Sequence, residues 1–495
     1  MNFDMQMPPE GTVRDWLDGQ ATNDAIAVVF PETGETLSWR ALHHETSTMA
    51  GGLVGFGVQH GESVAIVHPN GRAGMVALYA VLYGGFRATM INLAAGPDAI
   101  SYALDHSGAK VALVHSDSIE IIQHLKPATL TILQPSDLKA QAALPALSPA
   151  DQALLMYTSG TTGKPKGVVH SHASLLAGGW TSAVAHALTS KDRGFCVLPI
   201  YHINGLCVTV MGALVSGGSL AMVSKFSNRQ FWAQAEKAEV TWFSVVPTII
   251  SHLLHGTIDP SERVKARLRF GRSASSALAI ETQSGFEGRF DVPIIETMGL
   301  TETAAQILSN PLPPAPRKIG SPGIAFGNQV RILTSELTEA PHGEEGEIAV
   351  RGPNVMQGYL RDPDATAATF AGDWLRTGDL GRMDTDGYVF VTGRLKELII
   401  KGGENIAPRE IDEVLYGHPD VVEAAAFARP CAQYGERVEA AVSLRSGSQA
   451  LSADLIALCR THIGAFKAPD KIHILDELPK GPSGKIQRLK LSALV

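Results

Sequence analysis

The sequence predicts an α/β protein of several domains, and three observations carry that expectation. The chain is 495 residues long, more than one compact hydrophobic core accommodates. Strand-like and helix-like runs alternate through its early segments, the pattern of mostly parallel sheets covered by helices. Beyond about Gly343 the texture changes to short alternating strands between glycine-containing turns, and a last α+β block runs from Glu397 to Val495.

The elements follow from local pattern. Ser63–Val67 and Val111–Val114 are apolar runs of strand length, while Ala73–Tyr83 spaces its apolar and small residues as a helix does. Gln134–Asp151, rich in Ala, Pro and Ser, reads as a surface connector, and Leu154–Tyr157 as an apolar strand. Phe195–Ser224 lacks formal charge over a length that raises the question of a membrane span. Pro199, Gly205, Gly212, Gly217 and Gly218 interrupt it, so a strand, a buried helix and a second strand fit better. Glu347–Arg351 and Tyr388–Thr392 alternate as short strands. Ile411, Val414 and Leu415 lie at i, i+3 and i+4 of a helix that stops at Gly417-His418-Pro419, and Ala453–His462 gives a second amphipathic helix.

Composition narrows the class. Hydrophobic residues make up 45% and charged residues 18%, ordinary for a soluble globular protein. A net charge of -8 argues against a nucleic-acid partner held by a basic field, yet leaves room for anionic substrates at a locally positive site. Cys196, Cys207, Cys431 and Cys459 form no CxxC pair; the one nearby histidine, His462, does not make a zinc site with Cys459. Reduced thiols in a cytoplasmic protein fit this pattern. Asp4, Glu10, Arg14 and Asp15 leave no secretory apolar region at the start of the chain.

The strongest local signal is Met156-Tyr157-Thr158-Ser159-Gly160-Thr161-Thr162-Gly163-Lys164-Pro165-Lys166-Gly167. A strand runs into hydroxylated residues, three glycines and two lysines. Glycines let backbone N–H groups approach a polyphosphate, hydroxyls donate further hydrogen bonds, and lysines neutralise charge. A Walker A loop needs G-x-x-x-x-G-K-[ST]; here Thr158 stands five before Gly163 and Pro165 follows Lys164, so the loop is not of that kind.

This run resembles the phosphate loop of the adenylate-forming superfamily, which comprises acyl-CoA synthetases, luciferases and peptide-synthetase adenylation domains. The similarity extends from about Leu37-Ser38-Trp39 to the C-terminus, with further motifs in the family's order. It implies ATP, Mg²⁺ and coenzyme A as cofactor and co-substrates, and nucleotide contacts from Thr158, Ser159, Gly160, Thr161, Thr162, Gly163, Lys166 and Ser275. In Glu296-Thr297-Met298-Gly299-Leu300-Thr301-Glu302, Thr301 is expected at the AMP phosphate and Glu302 at the Mg²⁺, for which a carboxylate is a suitable hard ligand. Met298 and Gly299 lie along the adenine; the family usually has an aromatic where Met298 stands. By the same resemblance Asp379, in Trp374-Leu375-Arg376-Thr377-Gly378-Asp379, accepts the ribose hydroxyls. Arg394 lies near the ribose or phosphate, and Lys396 at the hinge between residues 1–395 and a mobile domain of residues 396–495. Lys485, in Leu478-Pro479-Lys480-Gly481-Pro482-Ser483-Gly484-Lys485-Ile486, reaches the acid and the α-phosphate. Gly402 and Gly403 line the pantetheine tunnel after the small domain rotates.

The acyl pocket implied by the resemblance is built from His202, Asn204, Ser273, Ala274, Gly299 and Ala305, with His202 also a candidate catalytic residue. Lys225-Phe226-Ser227, Ser309-Asn310-Pro311-Leu312-Pro313 and Pro316-Arg317-Lys318 are similar to oxalate–CoA ligases, which points to a short polar or dianionic acid. Oxalate enzymes carry histidines where Asn204 and Ala305 stand, so sulfoacetate- or malonate-like acids rank above oxalate. The expected protein is thus a cytoplasmic carboxylate–CoA ligase acting through an acyl-adenylate, a monomer or homodimer with no membrane span. A domain that loads a free carrier protein, a luciferase-like oxygenase and a non-catalytic nucleotide-binding regulator are the other readings.

Overall fold

The computed structural model describes residues 4–134, 137–138, 142–158, 165–481 and 485–495. Two large sheets form its body. A nine-stranded sheet runs, in spatial order, Ile324–Ala325, Ala305–Ser309, Ile294–Leu300, Phe270–Ser273, Trp242–Val245, Arg193–Cys196, Ser219–Met222, Ile26–Phe30 and Glu35–Ser38. Its six central strands are parallel and its edges antiparallel. A seven-stranded sheet runs Gly358–Tyr359, Lys166–Ser171, Gln152–Thr158, Arg87–Met90, Ser63–Val67, Val111–Val114 and Thr131–Leu133. It too is parallel except at the hairpin edge.

One core serves both sheets. Val28, Leu220 and Phe270 of the first and Val64, Ile66 and Leu154 of the second belong to the same buried cluster. Helices Trp39–Phe56, Arg72–Gly84 and His172–Ala185 add to that cluster, as do Val13, Trp16 and Leu17 and the helical turns from Leu206 to Val215. This explains why every residue from Gly74 to Gly84 is buried: a helix apolar on all sides is one that is covered on all sides. The uncharged run resolves into strand Arg193–Cys196, helical turns from Asn204 to Ser216, and strand Ser219–Met222. Asn204–Met211 is wound as a π-helix, a wider turn than the expected α-helix and one often found at functional sites. A Cβ on Gly205 would meet the Pro199 carbonyl oxygen at 2.4 Å, so only glycine allows the helix to start this close to the preceding loop.

A third sheet, antiparallel, holds Gln329–Leu333, Gly346–Arg351, Trp374–Met383, Phe370–Ala371 and Val389–Arg394. A fourth gathers Glu404–Ile406, Ile399–Lys401, Gly435–Leu444, Val421–Cys431 and Lys471–Ile474, with helices Pro408–Tyr416, Ser452–Lys467 and Arg488–Leu494 beside it. Ser452–Lys467 is longer than the expected Ala453–His462 and is broken at Gly464, whose φ is +77°. Among the described residues no helix is long and apolar enough to cross a membrane.

Candidate active site

The carboxyl ends of the parallel strands deliver the site residues, as expected for an α/β sheet. Thr301 and Glu302 follow strand Ile294–Leu300, Ala274 and Ser275 follow Phe270–Ser273, and Asn204 lies on the connection after Arg193–Cys196. Gly299 is fixed by crowding: a Cβ there would lie 1.6 Å from the Ala305 carbonyl oxygen. The chain doubles back within a short 3₁₀ turn at Thr301–Thr303, and Ala304 and Ala305 take left-handed φ values of 44° and 84°. Met298 is partly buried in the cluster that joins this strand to the third sheet.

Three residues that sequence reasoning passed over hold this turn. His170 shares a hydrogen bond of 2.6 Å with the Thr301 carbonyl oxygen, and burial pushes its imidazole down to about 4, so the ring is neutral and donates there. Buried Asn354 donates to the carbonyl oxygens of Thr303 (2.8 Å) and Gln306 (3.0 Å). Tyr359 donates its hydroxyl to Glu302 Oε1 at 3.0 Å, and the Lys166 ammonium lies 4.5 Å from the centre of the Tyr359 ring. Burial beside Glu302 pushes the Tyr359 phenol well above its ordinary range, so it stays a donor. These partners lie far from the motif in sequence, and no local pattern marks them.

Thr158 and Lys166 pair across the hairpin of the seven-stranded sheet. The expected phosphate-contacting residues Ser159, Gly160, Thr161, Thr162 and Gly163, with Lys164, lie outside the described residues. So do Pro482, Ser483 and Gly484 of the C-terminal motif.

The third sheet brings Asp379 and Arg394 opposite each other in register. Arg394 Nε donates to Asp379 Oδ1 at 2.5 Å, so the carboxylate expected to receive ribose hydroxyls is here engaged by the arginine. Asp379 is 5% exposed. Behind it, buried Glu347 accepts from Arg376 Nε at 2.8 Å and from the Gly378 amide at 2.9 Å, which orients the Gly378-Asp379 turn. Lys485 comes from the fourth sheet's side and precedes Ile486, which forms an antiparallel bridge with Lys480. Desolvation, then repulsion from Arg394, lowers its ammonium to about 8, against the attraction of Asp379, Glu302 and Glu397. Residues from separate sheets thus converge on one cluster of charge. Lys396 lies on the exposed turn after Arg394, where the Glu397 amide donates to the Arg394 carbonyl at 3.0 Å. Gly402 and Gly403 form the tip of the Ile399–Lys401/Glu404–Ile406 hairpin, both with positive φ and both exposed.

Of the expected acyl-pocket residues, Gly299 and Ala305 lie against each other. Asn204 is buried, with Nδ2 3.4 Å from Ser275 Oγ, and Ser275 takes a φ of 79°. Ser273 and Ala274 are buried, and the Ser273 hydroxyl has no partner among the described residues. Ala305 is 4% exposed and precedes Gln306. His202 is half-buried at the start of the helical turns, its ring 4.9 Å from that of Tyr201.

Glu302 is the one carboxylate at the Thr301–Thr303 turn, and no group of three His, Cys, Asp or Glu side chains gathers among the described residues. A single hard carboxylate suits Mg²⁺, which keeps several waters and binds phosphate oxygens rather than a protein cage. The ion, held by Glu302, would neutralise polyphosphate charge.

The family model described as AMP-binding enzyme matches residues 16–360, and that described as AMP-binding enzyme C-terminal domain matches residues 410–485. The chain belongs to the AMP-binding enzyme family. It is 43% identical to a sulfoacetate–CoA ligase of Cupriavidus necator, with 94% of each chain covered. It is 35% identical to an oxalate–CoA ligase of Arabidopsis thaliana, over 87% of this chain and 88% of that one. The ATP-bound structure of MatB from Rhodopseudomonas palustris superposes with a TM-score of 0.90 at 29% identity, covering 100% of this chain and 99% of the other. The chain is an AMP-forming acid–thiol ligase that works through an acyl-adenylate and uses ATP, Mg²⁺ and CoA.

Proposed function

We propose that the ligase activates a short acid with a second anionic end, sulfoacetate first among the candidates, and passes the acyl group to the CoA thiol. The Arg394–Asp379 pair at 2.5 Å and the Tyr359 link between Glu302 and Lys166, with Lys485 in the field of the same charges, carry the assignment of roles. Joining an acid carboxylate to the α-phosphorus brings two anions together and builds charge on the phosphoryl oxygens. Fixed cations and donors aimed at that charge lower the barrier. Lys485 bridges carboxylate and α-phosphate, Thr301 donates to the phosphate, and Lys166 and Arg394 offset the remaining charge. Asp379 exchanges part of its bond with Arg394 for the ribose hydroxyls, and Met298 packs its thioether against adenine.

The choice of acid is supported by the sulfoacetate–CoA ligase relative and by the small and polar character of the residues expected around the acyl group, Asn204, Ser273, Ala274, Ser275 and Ala305. In the present arrangement Lys485 faces the site and Gly402-Gly403 lies exposed. The second half-reaction therefore calls for residues 396–495 to rotate about Lys396 and present the glycine turn to the pantetheine arm. The enzyme would act in the cytoplasm as a monomer or homodimer.

The test is pyrophosphate and AMP release over a panel of sulfoacetate, malonate, oxalate, acetate and a coumarate-type acid, each with and without CoA. CoA-dependent turnover highest on a short dianion is the expected result, and a preference for acetate or the aromatic acid would refute it. Lys485→Ala should slow adenylation ~10²–10³-fold, as removal of one electrostatic stabiliser does, yet spare thioester formation from supplied acyl-AMP. Equal loss of both steps would refute the role of Lys485.

A further inference from the structure

The nine-stranded sheet contains a buried positive charge that no protein anion answers among the described residues. Arg272 is the third residue of strand Phe270–Ser273, is 1% exposed, and is among the largest fully buried side chains. Nη1 donates to Asn204 Oδ1 at 2.9 Å and to Ser244 Oγ at 3.1 Å, while Nε and Nη2 donate to Gln306 Oε1 at 3.4 and 3.3 Å. Every one of these acceptors is neutral, and among the described residues no carboxylate forms an ion pair with it. Burial alone pulls the guanidinium down, to about 9, with no carboxylate to offset it. His186 is buried and held neutral, its imidazole pushed down to about 3 by burial first and by the charge of Arg272 second.

A buried guanidinium in a structural role is ordinarily paired, because leaving it unpaired is strongly unfavourable. The amides around Arg272 are themselves held in place. Gln306 Nε2 donates to the Thr181 carbonyl oxygen at 3.1 Å, and Asn204 Nδ2 points at Ser275 Oγ at 3.4 Å. Arg272 therefore stands against Asn204 and Gln306, next to the residues expected to line the acyl pocket. A cation kept at the pocket floor by neutral acceptors retains its field for whatever enters.

We propose that Arg272, steadied by Asn204 and Gln306, supplies the counter-charge for the distal anionic group of the acid and so sets the preference for dianions. The assignment rests on the proposed function and adds the residue that would impose it. Both sulfonate and carboxylate satisfy a guanidinium; a neutral group of the same shape does not. Specificity arises because the correct acid completes a charge that every neutral acid leaves buried and uncompensated.

Sulfoacetate and methylsulfonylacetate, which differ in a charged oxygen against a methyl group, isolate this effect. The readout is the ratio of their kcat/KM values in ATP-dependent pyrophosphate release by the full chain. Wild type should favour sulfoacetate, and Arg272→Met should lower that ratio ~10²-fold, the scale of unpairing one buried charge, with the KM for ATP unchanged. Asn204→Asp is the second variant, for the case in which Arg272→Met fails to fold. It leaves Arg272 in place but sets a carboxylate beside the guanidinium, so it should lower the ratio as well while holding or raising the melting temperature. A ratio unchanged in both variants, or a proportional loss on both acids, would overturn the role of Arg272 and leave the dianion reading intact. A wild type that uses the sulfone as well as sulfoacetate, or neither, would overturn the reading of function and the assignment with it.

Discussion

Lys485 holds its proton less firmly than a lysine in water, because desolvation and the neighbouring Arg394 lower its ammonium to about 8. Only the protonated form can bridge a carboxylate and a phosphate. As pH rises through about 8 the free enzyme loses that cation, so kcat/KM for adenylation should fall along a single basic limb beginning there. ATP brings negative charge that favours the ammonium, so kcat at saturating ATP should keep its value to higher pH. Thioester formation from supplied acyl-AMP does not need the bridge and should lack this limb, and Lys485→Arg should move the limb beyond the measured range. Pre-steady-state pH profiles of the two half-reactions check both statements. A limb shared by the two reactions would place the titrating group elsewhere.

The turn from Gly299 to Gln306 sets where Thr301 and Glu302 point, and its ties come from other elements. Asn354 holds two of its carbonyl oxygens and His170 a third. Asn354→Ala would remove this donor from the Thr303 carbonyl and leave the Gln306 carbonyl with the longer bond from Asn328 Nδ2 at 3.4 Å, a loss of ~1–3 kcal/mol. The expected outcome is a lower melting temperature and a raised KM for ATP, read by thermal unfolding and pyrophosphate release; an unchanged KM would mean that the turn keeps its shape without Asn354. The same turn marks the limit of what the sequence discloses. Ser63–Val67 and Val111–Val114 have the bounds their apolar runs predict, because a parallel strand buried on both faces needs no polar interruption. Helix Pro408–Tyr416 ends before Gly417 as its spacing predicts. Motifs such as Thr301-Glu302, Asp379 and Lys485 are legible because each carries its chemistry in consecutive residues. The contacts of His170 and Arg272 are not: His170 meets Thr301 across 131 residues and Arg272 meets Asn204 across 68, and neither separation leaves a local pattern. The π winding of Asn204–Met211 is hidden for a related reason. An uncharged helix buried on all sides has no polar face to reveal its period.

At the scale of the whole molecule, the position of Lys485 depends on how the C-terminal sheet docks on the body. Ser251 Oγ donates to the Val422 carbonyl oxygen at 2.8 Å, and Arg409 Nη1 donates to the Val391 carbonyl oxygen at 2.7 Å. The Ile280 amide donates to Glu413 at 3.3 Å, and His252 lies 3.6 Å from buried Glu423, which also pairs with Lys480 at 2.7 Å. These contacts are mostly polar, as suits a junction that must open between half-reactions. Their strength sets the population of the arrangement that presents Lys485. Removing the Ser251 hydrogen bond and the His252–Glu423 contact together should weaken docking by ~1–2 kcal/mol. A shift of that size changes a two-state population ~5–30-fold. Ser251→Ala combined with His252→Ala should therefore slow adenylation by up to that factor. Thioester formation from supplied acyl-AMP, which uses the other arrangement, should be unchanged or faster. Single-turnover rates of the two half-reactions decide the matter. A parallel fall in both would mean that these contacts stabilise the fold, and a fall confined to thioester formation would mean that the docked arrangement serves the second step.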